Sequence, residues 1–160
     1  MMDMLVNLQR LPSVSIPAGV RVVRALPPDH AEILAFIREH FSEGWVCECR
    51  QALAQQPNAC FVAVMDGRMV GLACYDATAR GFFGPIGVED SCRGGGVGRA
   101  LLLTTLRAMA DAGYGYAVIG WCDGARAFYE RIGAVPILDS APENSVYGRM
   151  IHCCPNHEEE

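Results

Sequence analysis

The sequence predicts one α/β domain: a central mixed sheet of six to seven strands flanked by about four helices. Three observations carry that expectation. β-rich runs and helical patterns follow the order strand, two helices, three strands, helix, strand, helix, then one or two strands. Asp66-Gly67 joins two of the β-rich runs and marks a hairpin, because this residue pair tolerates the positive φ of a tight turn. A glycine-rich stretch, "CRGGGVGRALL" from Cys92 to Leu102, stands where a strand ends and a helix begins. At 160 residues, 51% of them apolar, the chain suffices for one domain with one core.

The elements follow in order. Residues 1–19, with Pro12 and Pro17, read as a loop-like N-terminal extension; the domain then spans 20–153, and 154–160 form a tail. "VRVVRAL" is the first strand. Asp29 is placed to cap a helix through "HAEILAFIREHF". A second helix covers "WVCECRQALAQQ" and stops at Pro57. "ACFVAVMDGRMVGLACYDA" is the hairpin, and "GFFGPIGVED" the next strand. A long helix runs from about Val97 to Ala112 and closes at Gly113. "YGYAVIGW" is a strand, and "GARAFYERIG" a short helix closed by Gly133. "AVPIL" and "SVYGRMIHC" supply one or two closing strands.

Composition excludes several classes. No apolar run approaches the ~18 residues of a membrane span, so no membrane partner is expected. The first residues lack the basic start and long apolar centre of a secretory signal. A net charge of -5 without a basic stripe argues against nucleic acid. Of the eight cysteines, several lie inside apolar runs such as "NACFVAV", which suits buried thiols in a reducing cytoplasm. "CEC" and "HCCPNH" match no familiar zinc template, so no metal is expected.

The glycine turn has a definite physical reading. The first amides of a helix lack internal partners, and the dipole makes that end positive. Glycines let successive N–H groups form a nest and let a phosphate come close. Arg93 and Arg99 add charge. The stretch therefore reads as a pyrophosphate cradle. It is not a Walker loop, because Gly98 is followed by Arg99 and Ala100 rather than Lys and Ser/Thr. Nor is it the dinucleotide fingerprint, whose third glycine would fall on Arg99 or Leu101. The plain alternative is a flexible loop ahead of an ordinary helix.

Arg93-Gly94-Gly95-Gly96-Val97-Gly98 resembles the Arg/Gln-x-x-Gly-x-Gly/Ala signature of the GNAT (GCN5-related N-acetyltransferase) superfamily. "ARAFYERIGAVPI", about thirty residues on, is similar to that family's second motif, a helix that bears a tyrosine. The resemblance spans roughly residues 20–152. It implies a GNAT-like fold and acetyl-CoA as co-substrate, with its pyrophosphate on Arg93, Gly94, Gly95, Gly96, Val97, Gly98 and Arg99. It also implies a splayed strand pair for the pantetheine arm. Gly84, Pro85 and Gly87 interrupt the strand concerned, and the exposed groups are those of Ile86, Gly87 and Val88. Phe128 packs against the co-substrate.

Acetyl transfer to an amine requires a neutral amine, a donor for the oxyanion and a proton for the leaving thiolate. By resemblance, the Val88 amide is the oxyanion donor and Tyr129 the acid. A phenol, with a reference pKa of ~10, is protonated at neutral pH and can donate to a thiolate. Glu89 and Asp123 are the two candidate bases. Cys92 and Cys122 read as structural thiols rather than acyl carriers. Two features depart from the family pattern: "WCDGAR" lacks an Asn common before the tyrosine, and Val88-Glu89-Asp90 replaces Val-x-Pro. Phe41, Glu43, Trp45, Glu48, Asp139 and Glu143 fall in the acceptor regions, where the carboxylates read as solvated surface. The expected function is an acetyl-CoA-dependent N-acetyltransferase of the cytoplasm, acting directly on a primary amine of a small molecule or protein. The alternatives are a non-catalytic acyl-CoA-binding regulatory module and a metal-binding interaction protein. Homodimers are common among similar proteins, but no residue indicates one here.

Overall fold

A computed structural model describes residues 2–153. Seven strands form one mixed sheet: β1 (Met4–Asn7), β2 (Val20–Arg24), β3 (Cys60–Met65), β4 (Arg68–Tyr75), β5 (Phe82–Val88), β6 (Tyr116–Ile119) and β7 (Val135–Pro136). Their spatial order is β2-β3-β4-β5-β6-β1-β7. Only β5 and β6 are parallel; the remaining neighbours are antiparallel. The helices are α1 (His30–His40), α2 (Glu43–Leu53), α3 (Val97–Asp111) and α4 (Arg126–Glu130).

The hairpin forms as its turn residues require: Asp66 and Gly67 have φ of 51° and 73°. In α2, Val46, Cys49, Ala52 and Leu53 recur on one face and are buried. Helix α3 buries Val97, Leu101, Leu102, Leu106 and Met109, among others, against the other face of the sheet. A Cβ on Gly71 would meet Leu101 at 3.1 Å and Val88 at 3.2 Å, whereas one on neighbouring Gly87 would run into Phe41. Successive strand residues point to opposite faces. The α1–α2 layer and the α3 layer therefore cover opposite sides of β5.

Several local expectations are corrected. Residues 4–7 are not loop: β1 pairs with both β6 and β7 and sits inside the sheet. The tail expected at 154–160 lies outside the described residues. Asp29 forms no side-chain cap, because a 3-10 turn at Pro27–Asp29 carries the chain into α1. Helix α2 starts at Glu43, where Ser42 Oγ accepts from the Trp45 amide (3.3 Å), and it ends before Pro57. "SVYGRM" is not a strand but contains a 3-10 turn, Val146–Arg149. With β1 already beside β6, only two residues of β7 find a partner.

Asp3 ties the N-terminal strand to this last segment. It is 3% exposed. Its carboxylate accepts from Trp121 N (3.3 Å) and Ser145 Oγ (2.5 Å), and its own amide donates to Ser140 Oγ (2.8 Å). Asp3→Ala leaves two donors without their acceptor. Urea unfolding should show a loss of about 1–3 kcal/mol. An unchanged midpoint would mean water replaces the carboxylate at no cost.

Candidate active site

Strands β5 and β6 start side by side and then part. Only Phe82–Val118 and Phe83–Ile119 are in register, after which β6 ends while β5 runs on to Val88. Gly84 has φ 119°, Pro85 has no N–H to donate, and the β4–β5 register shifts between Ala73 and Tyr75. These are the features of a strand bending away from its neighbour.

The alternation of antiparallel bonds then decides which groups the gap receives. Glu89 N donates to Val70 O (2.9 Å), so Glu89 and Val70 are a hydrogen-bonded pair. Val88, opposite Gly71, and Ile86, opposite Ala73, consequently turn their amides away from β4 toward the gap. Val88 O is already engaged by Arg93 Nε (3.1 Å), which leaves the Val88 N–H. Gly87 differs from the expectation for it. Its polar groups face β4, and its part is steric: the Phe41 ring occupies the space of a Cβ.

The chain leaves β5 through a 3-10 turn, Asp90–Cys92, and enters the glycine stretch. Gly94 (φ 83°) and Gly96 (φ 88°) take left-handed backbone, with Gly96 as the N-cap of α3. Side chains at Gly94 or Gly95 would meet no protein atom within 4 Å, so the turn opens to solvent. One at Gly98 would touch Phe128 and Val88, each at 3.7 Å. The free amides at the start of α3, including those of Val97, Gly98 and Arg99, suit an anion. Arg93 is partly committed: it bonds Val88 O and pairs with Asp90 at 3.1 Å, and so shapes the turn. Arg99 is exposed, with no ion pair among the described residues.

Helix α4 brings Tyr129 to the same place. The ring is held edge-on by Phe83 (6.4 Å) and Phe128 (5.1 Å) and is 7% exposed. Its hydroxyl has no hydrogen-bond partner among the described residues. Burial, with Cys122 and Tyr147 nearby, pushes the phenol well above its usual range. The group thus keeps its proton at neutral pH and has a free donor to offer.

The two candidate bases separate. Glu89 is buried, and both carboxylate oxygens accept from Arg68, at 2.8 and 2.5 Å. Ser91 Oγ (2.9 Å) and Cys92 Sγ (3.0 Å) donate as well. These bonds, Arg68 first, hold the carboxyl well below its usual range. A carboxylate so stabilised is a poor proton acceptor, which corrects the expectation for Glu89. Asp123 is exposed in the 3-10 turn Asp123–Ala125, beside Cys122.

Because the folded pKa of Glu89 lies below the unfolded one, its bonds add stability above the ordinary carboxylate range. That stability is lost as pH falls through and below it. Glu89→Gln should narrow the gap between urea midpoints at pH 7 and pH 3. It should leave the pH–rate profile between pH 5 and 9 in place. A vanished acid limb would restore Glu89 as the base.

On the opposite face, Phe41 stacks on Trp45 at 4.7 Å. Tyr147, from the C-terminal 3-10 turn, stacks on Trp121 at 4.5 Å and meets Phe82 edge-on at 6.4 Å. Its ring fills the space a side chain at Gly120 would need. Thr78 Oγ1 donates to Glu48 Oε1 (2.5 Å) nearby. Tyr147, Thr78 and Arg68 carry no sequence signal, since their partners are distant along the chain. Cys122 is buried, donates to Ile119 O (3.0 Å) and is pushed up to about 12 by burial and Asp3. That marks an inert thiol. Cys49 and Cys74 lie in the core with sulfurs 3.7 Å apart. Among the described residues no three His, Cys, Asp or Glu side chains form a metal cluster, and no helix is long and apolar enough to cross a membrane. Cys154 and His157 of the "HCCPNH" stretch lie outside the described residues.

A family model described as the acetyltransferase (GNAT) family matches residues 26–134. Curated proteins give no match. Among solved structures, a GCN5-related N-acetyltransferase from Sphaerobacter thermophilus aligns at 23% identity and TM-score 0.69, over 85% of this chain and 48% of that one. One from Kribbella flavida gives 21%, 0.61, 84% and 53%. A GNAT-family N-acetyltransferase of Escherichia coli in complex with CoA gives 23%, 0.55, 76% and 71%. The chain thus spans about half the length of the first two. At these identities the likeness establishes a GNAT-like fold.

Proposed function

The chain belongs to the GNAT acetyltransferase family, and from that premise we propose that it transfers an acetyl group from acetyl-CoA directly to a primary amine. One observation carries the reading. Where β5 and β6 part, the Val88 N–H turns to the gap, Phe128 and Val88 border Gly98 of the glycine turn, and Tyr129, with an unpartnered hydroxyl, packs between Phe128 and Phe83.

The residues fit the co-substrate. The amides at the start of α3 suit its pyrophosphate, with Arg99 adding charge. The backbone of Ile86 and Val88 suits the amide-bearing pantetheine arm. Phe128, against Gly98, walls the turn. The Val88 N–H donates to the thioester oxygen as it gains charge, when the amine nitrogen attacks the carbonyl carbon. Tyr129 then protonates the sulfur as the C–S bond breaks. The amine gives up its own proton to water or through Asp123. The helix layers on both sides of β5 keep bulk water from the thioester. A cytoplasmic setting is supported by the free buried thiols of Cys49, Cys60, Cys74 and Cys122.

The test is release of free thiol from acetyl-CoA against a panel of primary amines, with mass detection of the acetylated product. Amine-dependent release is the expected result. Tight acetyl-CoA binding without turnover of any amine would favour a non-catalytic acyl-CoA-binding module. Failure to bind acetyl-CoA would remove both readings.

A further inference from the structure

The acidic side chains beside the cleft are not alike. Glu43, at the start of α2, is exposed and pairs with Arg38 at 3.3 Å. Glu48, little more than one turn further on, is half-buried and makes no ion pair among the described residues. Its only hydrogen bond there is the one from Thr78, on the β4–β5 loop. The comparably placed Glu89 has a guanidinium for its charge. Glu48 has none.

Tyr147 lies flat on Trp121, fills the space beside Gly120, just past the end of β6, and has Thr78 and Glu48 as polar neighbours. Asp3 lies behind the same ring, committed to Trp121 N and Ser145 Oγ. A second, independent feature borders the Tyr147 ring. Tyr129, more than nine-tenths buried and with an unpartnered hydroxyl, has Tyr147 and Cys122 as its electrostatic neighbours. Arg126 pairs with Glu130 at 2.7 Å, while Arg149 is exposed and makes no ion pair among the described residues.

We propose that Glu48 is the charge-reading residue for the acceptor, and that the acceptor is a cationic primary amine without a carboxylate or phosphate of its own. The ammonium docks between the Glu48 carboxylate and the Trp121–Tyr147 stack, where both a negative charge and π-faces favour it. A substrate anion would bring like charge against Glu48 and Asp3. This deepens the acetyltransferase reading and rests on it for the fate of the bound amine. The binding claim itself needs no turnover.

The two tryptophans of the chain, Trp45 and Trp121, both stand by this space and report on it. Phenethylamine and phenylalanine differ only by a carboxylate and serve as probes, titrated by tryptophan fluorescence with and without CoA. The full-length protein is expected to bind phenethylamine at least tenfold more tightly than phenylalanine. Glu48→Gln should weaken phenethylamine about ten- to a hundredfold, as loss of a charge-assisted bond does. CoA affinity should be unchanged. Glu43→Gln, on another side of α2 and paired with exposed Arg38, should change nothing. Equal affinity for both probes, no saturable response to either, or undiminished amine binding by a folded Glu48→Gln protein would each overturn the proposal. Loss of CoA binding in the unaltered protein would instead strike at the acetyltransferase reading and leave the ammonium site standing.

Discussion

Tyr129→Phe is expected to lower kcat by ~100-fold or more while leaving acetyl-CoA affinity nearly constant. The substitution keeps the ring, so its packing between Phe83 and Phe128 survives. Only the hydroxyl goes, and that hydroxyl supports no hydrogen bond within the described protein. The fold therefore loses nothing, and the thermal midpoint should hold. What disappears is the proton for the leaving thiolate, an interaction made in the transition state. Single-turnover kinetics is the appropriate measurement, because slow product release would mask a chemical defect. Wild-type turnover would reduce Tyr129 to a packing residue. Poor acetyl-CoA binding with normal chemistry would make it a co-substrate ligand.

Replacing Gly96 and Gly98 together by valine should weaken acetyl-CoA binding by ~100-fold or more, the effect of losing two charge-assisted bonds. Gly96 sits at φ 88°, which a β-branched residue adopts only at a cost of about 1–3 kcal/mol. At Gly98 the added methyls press on Phe128 and Val88. Both changes disturb the nest of amides at the start of α3. A second variant separates ligand from fold. Gly95 has no left-handed φ, and a Cβ there meets no protein atom within 4 Å. Gly95→Val should thus keep the thermal midpoint yet still lose affinity, because the new side chain stands where the pyrophosphate approaches. Calorimetry that finds both variants binding normally would remove the phosphate from this turn.

Much of this was legible in the sequence, wherever the information is local. Asp66-Gly67 can only be a tight turn between β-rich runs, and it is one. The spacing of apolar residues in "VGRALLLTTLRAMAD" makes a buried helix on its own, and three glycines ahead of it open the backbone. Tyr129 stood out through the motif around it. What stayed hidden depends on contacts across long separations. "MLVN" is too short to declare itself a strand; it becomes one because β6 and β7 leave a place between them. Glu89 looked like any loop carboxylate until Arg68, 21 residues earlier, closed on both its oxygens.

The sequence by itself determined the order of elements from β2 to β7, the hairpin, the glycine turn and the family, because each rests on spacing within a few residues or on a motif. Tertiary structure alone decided which groups face the gap. Ile86 and Val88 turn their amides inward while Gly87 does not, a matter of the β4–β5 register. Glu43 meets an arginine in solvent and Glu48 a threonine in the cleft, a matter of which side of α2 each occupies. Charge and burial are properties of a place, and the place exists only once the sheet has closed around it.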